Sequence, residues 1–374
     1  MSFAGATLKS EGSETDFTPH AEHLANAPIT KISPTKGPFP DTTGAEEEFK
    51  RLCQRIKRPV QMQMKREIEW NKRDPLHFWQ SLSFILKSQK HPCVAVSSFL
   101  DSQGQTKLYI ASNDPMTLSE QQEITEIIQM FLDLKPMEEI TAKILPRHLP
   151  LLIDQFKKCI RFVVDFTKDF PGELASSART LALKLIAGTS LSLDEIRSLM
   201  DLIVDDKSNL RAIKGKGDNT KTIPRASQTM AYHLCKMVRI LEEIQFVYKK
   251  IRRHQQDRSL KSLSSSFEFI SLNCHAGLAI LKTAKDCCES KTLYIGVSKR
   301  PCYCCSLFFK AVEENQSTKF NISIVTTHGK LYGGWNKIEN CFEKEFNQVW
   351  AKVIQDLGAR LPRQTDNNSS ESRT

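Results

Sequence analysis

The last third of the chain constrains the fold most, because its apolar residues change period repeatedly within a hundred positions. Across Cys274 to Lys285 (CHAGLAILKTAK), Leu278, Ile280 and Leu281 fit one buried helical face. Thr292 to Val297 (TLYIGV) is a compact apolar run of strand length, and after Pro301 a helical pattern returns over Cys302 to Glu314 (CYCCSLFFKAVEE). Phe320, Ile322 and Ile324 then alternate with polar residues, as a half-buried strand over 320–326 requires. Ile338, Phe342, Phe346, Val349, Trp350, Val353 and Leu357 recur every three or four positions and predict a helix that stops at Gly358. Helix, strand, helix, strand, helix is the order of an α/β layer structure.

Upstream, Cys93 to Leu100 and Lys107 to Ala111 are β-prone runs around Asp101 to Gly104 (DSQG), which predicts a hairpin with glycine in the turn. Helical spacing marks Pro75 to Lys90, and Ala45 to Trp70 is charged and helix-favouring. Beyond Asp114 the pattern predicts helices near 118–134, 137–168, 172–187, 193–206 and 227–256; Ser192 with Glu195 reads as a capping box, and Gly188 as a helix stop. A basic loop, Lys214 to Arg225, and the cluster Lys249, Lys250, Arg252, Arg253, Arg258 and Lys261 suit either a phosphate-binding surface or a solvated helix end. Residues 1–45 and 361–374 are polar and aperiodic, which predicts disorder.

No apolar run is long enough to cross a bilayer, so the expectation is a soluble intracellular protein, cytoplasmic or nuclear, without membrane association. A net charge of +10 suits a phosphate-bearing partner. Eleven cysteines, an odd number concentrated late in a chain too long to need staples, favour reduced thiols, metal ligands or packing over disulfides.

The predicted helices put His275 at one N-terminus and Cys302 with Cys305 at the next. A C-x-x-C pair at a helix start can clasp zinc with both sulfurs while a neighbouring histidine adds a third donor, leaving one position open for chemistry. Cys304 should turn into the core. A closed structural site built from Cys287 or Cys288 with Cys302 and Cys305 is the rival.

His275-Ala276-Gly277 and Pro301-Cys302-Tyr303-Cys304-Cys305 resemble the H-x-E and P-C-x-x-C signature of the zinc-dependent deaminases. With Tyr294 to Lys299 (YIGVSK) and Thr327 to Trp335 (THGKLYGGW), the segment is similar to the cytidine-deaminase-like superfamily, in its nucleic-acid and nucleotide branch expanded in fungi. The resemblance implies a three-layer α/β/α fold. Residues 46–114 would form its first helices and hairpin, 115–262 a large helical insertion, and 263–360 the zinc-binding core. It implies Zn²⁺ on His275, Cys302 and Cys305, with Pro301 starting the second zinc helix, Asn113 at a substrate sugar, and His328 and Tyr332 along the pocket. The implied reaction is hydrolysis of the exocyclic amine of cytosine or adenine, in a nucleotide or single-stranded nucleic acid. One position departs: Gly277 stands where the family carries the glutamate that moves protons. Glu268, Asp286 and Glu289 are the nearest carboxylates in sequence, and none has the right spacing. The expectation is therefore impaired catalysis, or a pseudoenzyme or scaffold that binds nucleic acid or a protein partner.

Overall fold

The computed structural model describes residues 44–54, 59–62, 74–169, 172–215, 225–254, 267–272, 274–325, 327–332, 335–338 and 341–358. In chain order the elements are α1 (Ala45–Gln54), β1 (Val60–Gln61), α2 (Asp74–Leu86), β2 (Val94–Leu100) and β3 (Thr106–Ser112). Seven helices follow: α3 (Leu118–Leu132), α4 (Met137–Lys157), α5 (Val163–Asp169), α6 (Glu173–Ile186), α7 (Leu193–Asp205), α8 (Lys207–Gly215) and α9 (Arg225–His254). The chain ends with β4 (Phe267–Ile270), α10 (Ala276–Cys287), β5 (Thr292–Val297), α11 (Tyr303–Glu314), β6 (Asn321–Ile324), β7 (Lys330–Leu331) and α12 (Glu343–Gly358).

The hairpin forms because Asp101 Oδ1 accepts the Gln103 and Gln105 N–H groups while Gly104 takes φ 75°. It seeds a five-stranded mixed sheet in the order β4-β3-β2-β5-β6. β3 runs parallel to β4 and β5 parallel to β6, while β2 is antiparallel to both of its neighbours, β3 and β5. Four strands therefore point one way, and the registers Val94 with Ser112, Ala111 with Ile270, Ala95 with Val297 and Ile295 with Ile324 bring their C-terminal ends to one edge.

Strand period decides the layers, since successive side chains leave opposite faces. Val94, Val96, Leu108 and Ile110 join a core with α2 and the helices from α3 to α9, whereas Ala95, Phe99, Tyr109, Ala111, Leu293 and Ile295 join a second core with α10, α11 and α12. The mixed α/β architecture with helices on both faces is the fold class read from the sequence. At Gly296 a Cβ would stand 2.1 Å from the Trp79 backbone, so only glycine lets α2 lie this close on β5.

Several boundaries differ from the expectation. The helix read over 137–168 is broken by a tight turn at Ile160–Phe162, where Cys159 N–H bonds the Phe156 carbonyl three residues back and Phe162 N–H bonds that of Cys159. The last helix starts at Glu343 rather than 338, because Phe342 has φ 59°, outside helical space. α8 occupies what read as the approach to a loop, β4 adds a parallel edge to the expected sheet, and β1 with β7 forms a separate two-stranded ladder. The Ser192 capping box forms, Gly188 turns at φ 78°, and a second capping box at Thr117 with Glu120 opens α3. The segments expected to be disordered, apart from residues 44–45, lie outside the described residues, as do 216–224, Arg258 and Lys261 of the basic stretches. No described helix is long and apolar enough to cross a membrane.

Candidate metal centre

Each parallel strand hands its following loop to the same sheet edge, the side on which open α/β sheets collect ligands. Asn113 leaves β3 there, His275 follows β4, Lys299 to Cys302 follow β5, residues 327–332 follow β6, and Cys93 enters β2 there.

His275 is the N-cap of α10, with φ −64° and ψ 136°, yet its ring caps nothing. Asn113 supplies that function across the sheet edge, its Oδ1 accepting the Ala276 N–H at 3.0 Å. The imidazole is left to face α11, where Cys302 is itself the N-cap and its sulfur accepts the Cys305 N–H at 3.4 Å. His275 Nδ1 lies 3.1 Å from Cys305 Sγ and 3.6 Å from Cys302 Sγ, and the three donor atoms fall within 4.8 Å of one another. Tetrahedral zinc with Zn–S near 2.3 Å and Zn–N near 2.0–2.1 Å places such atoms roughly 3.5 to 3.8 Å apart, so one imidazole and two sulfurs here fit the ion.

The sulfurs are not equivalent. Cys302 is held well below the ordinary thiol value, first by the hydrogen bond with the Cys305 thiol and then by His275, against the opposing effect of burial. Burial pushes Cys305 up, and the Trp335 indole N–H donates to its sulfur at 3.3 Å. Trp335 is fixed for this by ring contacts with Phe49, Phe308 and Phe346. A bound dication draws the proton from such a pair, and N–H donors to its sulfurs tune it from outside. Among the described residues this is the one cluster of at least three such donors. Cys304 is fully buried in the core. Cys287 and Cys288 sit at the far end of α10, where the Cys287 thiol bonds the Thr283 carbonyl, so the rival cysteine set is not brought together.

The other expected residues border the cluster. The Pro301 carbonyl accepts both the His328 N–H at 3.2 Å and the Thr327 hydroxyl at 2.8 Å, tying the loop after β6 to the start of α11. His328 and Tyr332 meet edge to face at 5.6 Å between centroids, and the charge on Cys302 bears on both. Burial lowers the His328 imidazole and raises the Tyr332 phenol. Trp335, Cys93 and Lys299 belong to this edge and were not singled out by sequence reasoning. Trp335 lay inside the quoted THGKLYGGW segment, but nothing in the sequence links its indole to Cys305.

Gly277, two residues into α10, faces hydrocarbon. A Cβ built there would meet Phe309 Cζ at 3.5 Å, Val297 Cγ1 at 3.6 Å and Ile324 Cδ1 at 3.7 Å, all ordinary contacts. No carboxylate substitutes from the sequence neighbourhood. Glu289 bonds its N–H to the Leu100 carbonyl at the other end of β2, about 20 Å away at strand rise, and Glu268 pairs in register with Tyr109. Asp286 lies in the last turn of α10, beside Cys287.

The model of a family described as OTT_1508-like deaminase matches residues 274–338, a span that holds His275, Gly277, Cys302, Cys305 and Trp335. Comparison with curated proteins and with solved structures gives no match.

Proposed function

We propose that this chain is a zinc-binding relative of the cytidine-deaminase-like nucleic-acid and nucleotide deaminases, with residues 115–262 as a helical insertion. It retains the ligand set and the substrate edge, and hydrolyses an exocyclic amine of cytosine or adenine poorly or not at all. The observation that carries this reading is the pairing of a complete His275, Cys302 and Cys305 triad with a glycine at 277, where the acid/base side chain would stand.

Zinc held by that triad supplies Lewis acidity that makes an attacking water acidic near neutral pH. The chain's own groups do the rest. Asn113 pins the start of α10 and so the position of His275, Trp335 orients the Cys305 sulfur, and the Pro301 carbonyl fastens the loop that presents His328 and Tyr332 to the ligand. Asn113 retains its amide N–H groups for a sugar hydroxyl. Deamination also needs a group that carries protons to the ring nitrogen and to departing ammonia. Glycine carries none, and loss of a positioned acid/base costs on the order of 10² to 10⁴ in rate.

The test is ammonia release from cytidine, deoxycytidine, adenosine and single-stranded oligonucleotides by the zinc-loaded chain and by Gly277→Glu. The parent should be silent or at least about a hundredfold slower than the variant. Equal, substantial turnover by both would overturn the reading. Silence of both with zinc bound would favour the second reading, a pseudoenzyme that binds its ligand or a protein partner, to which the absence of a proton-carrying side chain at Gly277 points.

A further inference from the structure

Lys87 immediately follows α2, and its Nζ lies 3.3 Å from the centroid of the Phe84 ring. Arg239, from the middle of α9, places its guanidinium carbon 4.6 Å from the same centroid. Two cations thus share one aromatic ring. Cation–π attraction accounts for each separately and does nothing for their mutual repulsion. The single carboxylate at hand, Glu243, binds Arg239 Nε at 2.9 Å. Among the described residues the Lys87 ammonium makes no direct ion pair or hydrogen bond, although the charges of Glu243 and Cys93 reach it. Burial, with Arg239 and Lys299 adding to it, lowers Lys87 to about 7.

Lys299 brings a third cation from the metal side. The Ser298 hydroxyl donates to the Pro92 carbonyl at 3.2 Å and accepts the Val94 N–H at 2.8 Å, and Ser298 N–H bonds the Val94 carbonyl. These bonds clamp 298 against 92–94, so Lys299 reaches the Cys93 thiol, and Cys93 in turn feels the charge on Cys302. A short turn, closed by Ser88 with His91, joins Lys87 to that strand start. Three cations, from the residue after α2, from α9 and from the segment entering α11, therefore converge beside the metal centre, with Glu243 on Arg239 and the charge of Asp114 reaching Cys93.

We propose that Lys87, Arg239 and Lys299 form a phosphate-binding subsite next to the metal centre, so that the ligand is a phosphate ester rather than a free nucleoside. This names the substrate class of the site proposed above and rests on that reading for its place beside the chemistry. It also gives the helical segment between β3 and β4 a task, since α9 supplies Arg239. An anion here would separate the cations and complete the coordination that Lys87 lacks.

The experiment is equilibrium binding at low ionic strength to the full-length chain of a cytosine or adenine nucleoside, its 5′-monophosphate and a short single-stranded oligonucleotide. Variants are Lys87→Met, Lys299→Met and, as a control on the exposed end of α9, Arg252→Met, each checked for an unchanged melting temperature. The monophosphate or the oligonucleotide should bind the parent, with about tenfold weaker binding in each of the first two variants and no change in the control. Whichever binds more tightly identifies the source of the phosphate. No binding of either probe to the parent, or equal binding by parent, Lys87→Met and Lys299→Met, would overturn the proposal, as would an equal loss in the control. Zinc content measured on the same samples keeps the two readings apart. Lys87-dependent binding without zinc would support this subsite and overturn the metal assignment.

Discussion

On one face of the sheet Val94, Val96, Leu108 and Ile110 meet large aliphatic side chains from α2 and the α3–α9 helices. On the other, register partners Ala95 and Ala111 meet Ala276 and Ala279 of α10, and seven of the eleven cysteines are buried with them: Cys53, Cys274, Cys288, Cys302, Cys304, Cys305 and Cys341. The first face gains apolar volume and with it stability. The second also buries large aromatics, Phe99 stacked on Tyr109 among them, but near its loop edge the small residues Ala95, Ala111 and Ala276 accompany the start of α10, where His275 meets two sulfurs. His148, 2% exposed in the aliphatic core, donates from Nε2 to the Ile85 carbonyl as a cap on α2, whereas on the other face buried Glu345 accepts from Asn315 and Ser317 at the far end of α11, and Asn113 caps α10 at the loop edge.

The larger effect expected from this contrast is acid sensitivity on the aliphatic side. Burial lowers His148 to about 4 from 6.5, so as pH falls the unfolded chain takes the proton first. Stability is whole above about pH 6.5, declines below it, and the loss levels off under about pH 4, amounting to on the order of 3 kcal/mol. Denaturant titration at pH 7 and pH 4.5 should therefore show a fall in the parent that is clearly smaller in His148→Gln. Equal falls would mean that another group carries the acid response. His233, half-buried and also lowered to about 4 chiefly by burial, adds in the same direction.

A smaller effect should come from the metal side. Asn113→Ala leaves the Ala276 N–H without its acceptor and is expected to cost about 1 kcal/mol in a denaturant midpoint. An unchanged midpoint would show that the α10 start is held by other contacts.

The legible parts of the fold were those set by local chemistry. Asp101 with Gly104, and Ser192 with Glu195, act within a few residues, so turn and cap could be read directly. The β5 run could be read because it is short and bounded. The break after Lys157 was hidden, since apolar spacing continues through Cys159, Val163 and Phe166 while the backbone tightens. The start of α12 was hidden because Phe342 keeps helical spacing in a non-helical conformation. At the site the three candidate donors, His275, Cys302 and Cys305, were legible from their spacing and the resemblance it carries, whereas Trp335 on Cys305, the apolar neighbours of Gly277, and Lys87 with Arg239 on one ring depend on chain segments brought together only by the sheet.

The most direct measurement of the central claim is zinc content by elemental analysis of the purified chain and three variants. The account predicts roughly one zinc per chain in the parent and in Cys288→Ser, and its loss in His275→Ala and Cys302→Ser. Zinc retained without His275, or lost with Cys288, would contradict it.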